Sequence, residues 1–190
     1  MKIEVDIPDA KSGIWEVSTF KVTEKDAKLF NMRASFQPGF RIIEAGTYKK
    51  LTRNNTIIMS NTSAEIKDHL DFIYKAKKQG DNVLINGLGL GVALVEILKS
   101  EKITSVTVIE NSEDVIKLVA PYITDSRINI IHADAFTWKP PKKIKYSCVW
   151  HDIWDDICSD NLSEMTKLHR KYGKCTEWQG SWCKELCKRY

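Results

Sequence analysis

Val83-Leu84-Ile85-Asn86-Gly87-Leu88-Gly89-Leu90-Gly91 is a short apolar run that ends in three alternating glycines, and an apolar-faced segment, Val92 to Ser100, follows at once. Strand, glycine turn and helix in that order make the first unit of a parallel sheet. Alternating glycines let the backbone approach a ligand closely at the strand's carboxyl end, and the following helix begins there with unpaired N–H groups.

Downstream, the same alternation repeats. Ser105 to Ile109, Ile128 to Ile131 and Tyr146 to Trp150 read as strands, with helices at Ser112 to Ala120, stopped by Pro121, and at Asn161 to Tyr172. Lys174 to Trp178 reads as a last strand and Trp182 to Lys188 as a terminal helix that, with a second subunit as the alternative, should cover the strand's free edge. The expected fold is α/β, a Rossmann-like doubly wound and mainly parallel sheet with right-handed crossovers. Upstream, Thr62-Ser63-Ala64-Glu65 has the spacing of a capping box, and Ile66, Leu70, Ile73 and Tyr74 recur at helical spacing until Lys77-Lys78-Gln79-Gly80.

The first sixty residues have a different texture. Lys2 to Ile7 alternates, Ile14 to Val22 is β-branched and aromatic, and Phe40 to Leu51 and Thr56 to Ser60 flank Thr52-Arg53-Asn54-Asn55, whose asparagines tolerate a left-handed hairpin turn. Glu24 to Ser35 reads as a short helix before the Gln37-Pro38-Gly39 break. The expected organisation is a small N-terminal β-subdomain, 1–61, ahead of a nucleoside-binding domain, 62–190.

In a doubly wound sheet, ligands bind outside the carboxyl ends of the strands, so the residues that follow each strand carry the chemistry. After the first come Asn86, Gly87, Gly89 and Gly91; after the second, Glu110 and Asn111, where a carboxylate can accept both hydroxyls of a ribose. Asp134 and Ala135 follow the third strand, with Asp134 suited to an exocyclic amine of adenine. His151, Asp152, Trp154, Asp155 and Asp156 follow the fourth. Taken singly, each has an ordinary structural reading: a tight turn for the glycines, a solvated carboxylate for Glu110, a cap for Asp134 or Asp152. Four in order at successive strand ends point to an adenosine-type ligand. The G-x-G-x-G spacing leans away from a dinucleotide.

These motifs resemble those of class I S-adenosylmethionine-dependent methyltransferases. More narrowly, Glu65-x-x-x-His69-Leu70 ahead of the glycine run, and Asp152-Ile153-Trp154-Asp155 with its D-x-x-D spacing, are similar to the spermidine synthase branch of that fold, in a short form that also resembles bacteriophage-encoded proteins. The resemblance implies S-adenosylmethionine as cofactor, contacts to the nucleoside from Gly87, Gly89, Gly91, Glu110, Asp134 and Ala135, and Asp152 with Asp155 facing the acceptor as catalytic residues. Asn86, Asn111, His151 and Asp152 itself complete the expected cofactor contacts. Two positions depart from the branch: Leu90 stands where aminopropyltransferases carry an Asp, and Ser63-Ala64 stand where they carry a Tyr followed by His or Gln. The chain also stops before the reversed hairpin of a typical class I methyltransferase. Methyl transfer to an unidentified acceptor is the expected function; aminopropyl transfer, cofactor consumption and non-catalytic binding are the alternatives.

Composition narrows the partners. With 29 basic against 25 acidic residues, a net charge of +4 and 43% hydrophobic residues, the 190-residue chain can bury a core but lacks the charge of a dedicated nucleic-acid binder. Lys139 to Lys145 and Lys167, His169, Arg170, Lys171 and Lys174 read as solvated faces rather than a phosphate-binding surface. No apolar run is long enough to span a membrane, and Met1 to Asp6 is not a signal peptide, so a cytoplasmic protein is expected. Five cysteines, an odd number without C-x-x-C spacing, read as reduced thiols, and no metal is expected. Trp150, Trp154, Trp178 and Trp182 read as core or interface residues first and as ring stackers second. A homodimer is the expected assembly, with Trp182 a candidate contact.

Overall fold

The structure, a computed structural model, describes residues 3–36 and 41–189. Two sheets organise it. Four antiparallel strands, β1 (Ala10–Ser12), β2 (Trp15–Val22), β3 (Gly46–Arg53) and β4 (Thr56–Ser60), lie in sequence order. Between β2 and β3, α1 (Glu24–Ala34) starts at Thr23, whose hydroxyl accepts from the Asp26 amide while the Asp26 carboxylate accepts from the Thr23 amide. The β3–β4 hairpin turns on Asn54 and Asn55, with φ of 49° and 64°, as the paired asparagines predict.

Five parallel strands form the second sheet: β5 (Asp81–Asn86), β6 (Ile103–Glu110), β7 (Ile128–His132), β8 (Tyr146–His151) and β9 (Thr176–Ser181), in the order β7-β6-β5-β8-β9. On one face, α2 (Ser63–Gln79), α3 (Val92–Leu98) and α4 (Glu113–Val119) enclose a core with Val83, Ile85, Val106, Val108 and Trp150; on the other, α5 (Asn161–Tyr172) and α6 (Lys184–Cys187) pack over Leu84, Ile109 and Val149. Successive residues of β5 thus feed opposite cores, which is why its sequence is apolar throughout rather than alternating. The chain order reverses across β5 and β8, and that switch opens a crevice above their carboxyl ends.

Several expectations are corrected. Residues 3–8 carry no strand; Ile3, Val5 and Ile7 do alternate into the core, and the Asn61 amide group holds the Ile3 carbonyl at 3.0 Å in place of a ladder. The strand expected from Phe40 begins at Gly46, and Lys2, Phe40 and the Gln37-Pro38-Gly39 break lie outside the described residues. The capping box at Thr62 does not form: Glu65 accepts instead from the Ser60 amide at 2.6 Å and the Ser60 hydroxyl at 2.9 Å, which ties β4 to α2. Leu70 and Tyr74 of α2 are exposed, because the helix is rotated to put Phe72 flat on Trp150, ring centroids 5.2 Å apart. The terminal helix is only Lys184–Cys187 and packs on α5, so β9 keeps a single ladder partner, β8.

Candidate functional site

A cavity of about 350 Å³ lies at the carboxyl ends of the parallel strands, roofed by the hairpin of the antiparallel sheet. Its volume falls in the usual range for a small-molecule site.

The floor is the glycine turn. Gly87 and Gly89 line the cavity with φ of 98° and 51°. A Cβ on Gly87 would stand 1.9 Å from the Asp152 carbonyl oxygen, so only glycine lets the β5 and β8 loops meet. Gly91 does not border the cavity; its Cα faces Ile123 beneath the turn.

Glu110, at the end of β6, is nearly buried and uses both oxygens: Oε2 accepts from the Leu88 amide and Oε1 from the Ser112 amide, each at 2.8 Å. Each oxygen retains a second acceptor site. Asn111 lines the cavity beside it, its carbonyl accepting from His132 Nε2 at 3.1 Å. After β7, Asp134 accepts from the Phe136 amide through Oδ1 at 2.6 Å, and the Ala135 carbonyl is pinned by the Tyr172 hydroxyl and Lys171 Nζ. Asp134 therefore caps its turn and also faces the cavity, with Ala135 buried next to it.

On the β8 side, Asp152 lines the cavity. Removal from water, with the Glu110 charge as a lesser cause, pushes its carboxyl up to about 7. His69 Nδ1 stands 3.9 Å from Asp152 Oδ2, buried and without a hydrogen-bond partner; burial holds this imidazole down at about 4. Glu65 reaches the same cavity, and desolvation pushes it to about 7 against the opposing hydrogen bonds from Ser60. Asp155 is not free: Arg53 of the hairpin pairs with it, and the Arg53 guanidinium lies over the Trp15 ring at 5.5 Å.

Two expected contacts face away from the cavity. His151 is fully buried in the sheet, its Nδ1 accepting from Asn86 Nδ2 at 2.8 Å and its Nε2 donating to Gln179 Oε1 at 3.2 Å. Burial lowers it to about 3. Strand alternation explains the split: Asn86 and His151 are register partners in the last rung of β5 and β8, and both side chains turn toward α5. Among the tryptophans, Trp150 and Trp178 stack with each other in the core at 6.4 Å, whereas Trp154 and Trp182 line the cavity, Trp154 donating to Glu164 at 2.9 Å. Lys145 and Lys171 donate to backbone carbonyls. No group of three metal-ligating side chains converges among the described residues.

Met59, Trp15 and Arg53 reach the cavity from the antiparallel sheet and were not among the expected site residues. Nothing local marks them, because the sheet's position over the crevice is a long-range property.

No family model matches the chain. Over 84 residues, 39% of this chain, it is 33% identical to polyamine aminopropyltransferase 1 of Streptomyces coelicolor, and the match spans 16% of that protein. Among solved structures it is similar to the plantazolicin methyltransferase BpumL in complex with SAH, with 16% identity, 58% of this chain, 44% of that chain and a TM-score of 0.44. It is also similar to an S-adenosylmethionine-dependent methyltransferase from Mesorhizobium loti, with 13% identity, 57% of this chain, 49% of that chain and a TM-score of 0.44. The chain thus spans about half or less of the length of these three proteins.

Proposed function

We propose that the cavity binds S-adenosylmethionine and that the protein transfers the methyl group to an acceptor entering on the Asp152 side. One observation carries this reading: Asp134, Glu110, the glycine turn and Asp152, from the ends of β7, β6, β5 and β8, line a single cavity in strand order. That order suits adenine near Asp134 and Ala135, the ribose hydroxyls on the remaining acceptor sites of Glu110, and the 5′ substituent over Gly87 and Gly89.

The fit is supported by the unpartnered His69 Nδ1 in the cavity wall and by a carboxylate-rich lining suited to a cationic ligand. The cofactor supplies an electrophilic methyl group on a sulfonium. The residues here would do the rest: Glu110 fixes the ribose, Asp152 orients the acceptor and takes the proton it loses, and the Arg53–Asp155 pair holds the hairpin over the crevice.

Aminopropyl transfer is the second reading, favoured by the 84-residue match to an aminopropyltransferase. Against it, Leu90 stands where the aminopropyltransferase branch carries an Asp, and it is fully buried and apolar. Calorimetric binding of S-adenosylmethionine, its decarboxylated form and S-adenosylhomocysteine, with Glu110→Ala as control, tests both. Micromolar binding of the methionine-bearing ligands that is lost in the variant supports methyl transfer; preference for the decarboxylated form favours aminopropyl transfer; binding of none sinks the nucleoside site.

A further inference from the structure

We propose that Met59 selects among 5′ substituents: its thioether fills the place of an amino-acid tail, which S-adenosylmethionine must displace on entering, whereas nucleosides ending in a short uncharged 5′ group bind with Met59 in place. The inference rests on the nucleoside reading above and goes beyond it to ligand selection.

Three observations converge on Met59. Its sulfur accepts a hydrogen bond from the Leu90 amide of the glycine turn at 3.0 Å. The space beside Gly89 is also filled by Met59, since a Cβ there would lie 2.2 Å from the sulfur. The aim is built into the hairpin: Leu51 pairs with Met59 and Thr52 with Ile57, so Ile58 is the extra residue of a β-bulge that turns Met59 down onto the turn. A flexible, polarisable side chain is suited to filling such a space and to leaving it.

Strand order locates the consequence. With adenine at β7 and ribose at β6, the 5′ substituent falls at β5, where Met59 stands. The surroundings offer a charged tail little in exchange. Leu90 is fully buried, and Arg53, the one Lys or Arg among the described cavity-lining residues, is already paired with Asp155. A tail carboxylate entering here would break the Leu90–Met59 contact and meet Glu65 and Asp152. A methylthio group would end before reaching them.

The experiment is calorimetric binding of 5′-methylthioadenosine and S-adenosylhomocysteine to the full chain and to Met59→Ala. S-adenosylhomocysteine should bind the variant at least about tenfold more tightly than the unaltered protein and methylthioadenosine should gain nothing, with the variant's folding read separately from its circular dichroism and urea unfolding. Equal affinities of S-adenosylhomocysteine for the two proteins, or an equal gain for both ligands, would overturn the assignment while leaving the nucleoside reading intact. Binding of neither ligand to the unaltered protein would overturn both. A second measurement avoids the variant: in the unaltered protein labelled with 15N-leucine, the Leu90 amide resonance should move with S-adenosylhomocysteine and stay with methylthioadenosine. The reverse pattern would equally sink the proposal.

Discussion

Glu110 Oε2 accepts a hydrogen bond from the Leu88 amide at 2.8 Å, so the carboxylate at the end of β6 holds the glycine turn at the end of β5. Its other oxygen takes the Ser112 amide that opens α4, and one side chain therefore fixes two loops of the cavity.

Glu110→Gln should cost more than its near-isosteric shape implies. Whichever way the amide is turned, its NH2 faces a backbone N–H, at Leu88 or Ser112. A loss of about 1–3 kcal/mol in urea unfolding is expected, with binding of an adenosine ligand weakened at least about tenfold in calorimetry. Unchanged stability would mean the two amides find water instead.

Asp152→Asn should raise stability by an amount that is absent below about pH 3.8 and grows from pH 5 to pH 8. The folded carboxyl sits at about 7, above its ordinary value of 3.8, so its favourable protonated state is complete below pH 3.8 and is lost as pH rises through 7. Above that, the native protein carries a desolvated charge that Asn lacks, worth about 1–3 kcal/mol. Melting temperatures of both proteins across pH 5 to 8 check the sign.

If Asp152 takes the acceptor's proton, the transfer rate should climb with pH through about 7, where its carboxyl ionises. Asp152→Asn should flatten that rise as well as slow turnover. A rate profile unchanged by the variant would assign Asp152 to structure alone.

Gly87→Ala and Gly89→Ala separate rigid from yielding crowding. The first sets a Cβ 1.9 Å from a backbone oxygen and the second 2.2 Å from a side-chain sulfur, both at positive φ. Losses of about 3 kcal/mol or more for Gly87→Ala and about 1–2 kcal/mol for Gly89→Ala are expected in urea unfolding.

Arg53→Ala should change stability by less than about 1 kcal/mol, because the Arg53–Asp155 pair is solvent-exposed and screened by salt. Ligand affinity should fall further than stability does, since the pair spans the mouth of the cavity. Titration in low and high salt distinguishes the two effects.

The parallel sheet was legible from Val83 to Tyr172 because each of its strands is a short β-former run closed by a turn signal, and its helices announce themselves with Ser112, Pro121 and Asn161. That Gly87, Gly89, Glu110, Asp134 and Asp152 share one cavity was legible for the same reason: each lies at or shortly after the carboxyl end of a strand, and a parallel sheet brings all such positions to one edge. Leu70 and Tyr74 misled, since helical spacing gives a period but not a phase, and the phase was set by Phe72 meeting Trp150. His151 misled in a similar way, because adjacent residues at a strand end point to opposite faces.

By itself, then, the sequence determined which residues end each strand and hence the acidic, glycine-floored edge of the sheet, since local periodicity and turn chemistry are encoded within a few residues. What that edge faces was set by long-range packing. Met59, Arg53 and Trp15 arrive from a hairpin whose bulge and docking arise from contacts between residues far apart in the chain, and no local pattern records where such contacts close.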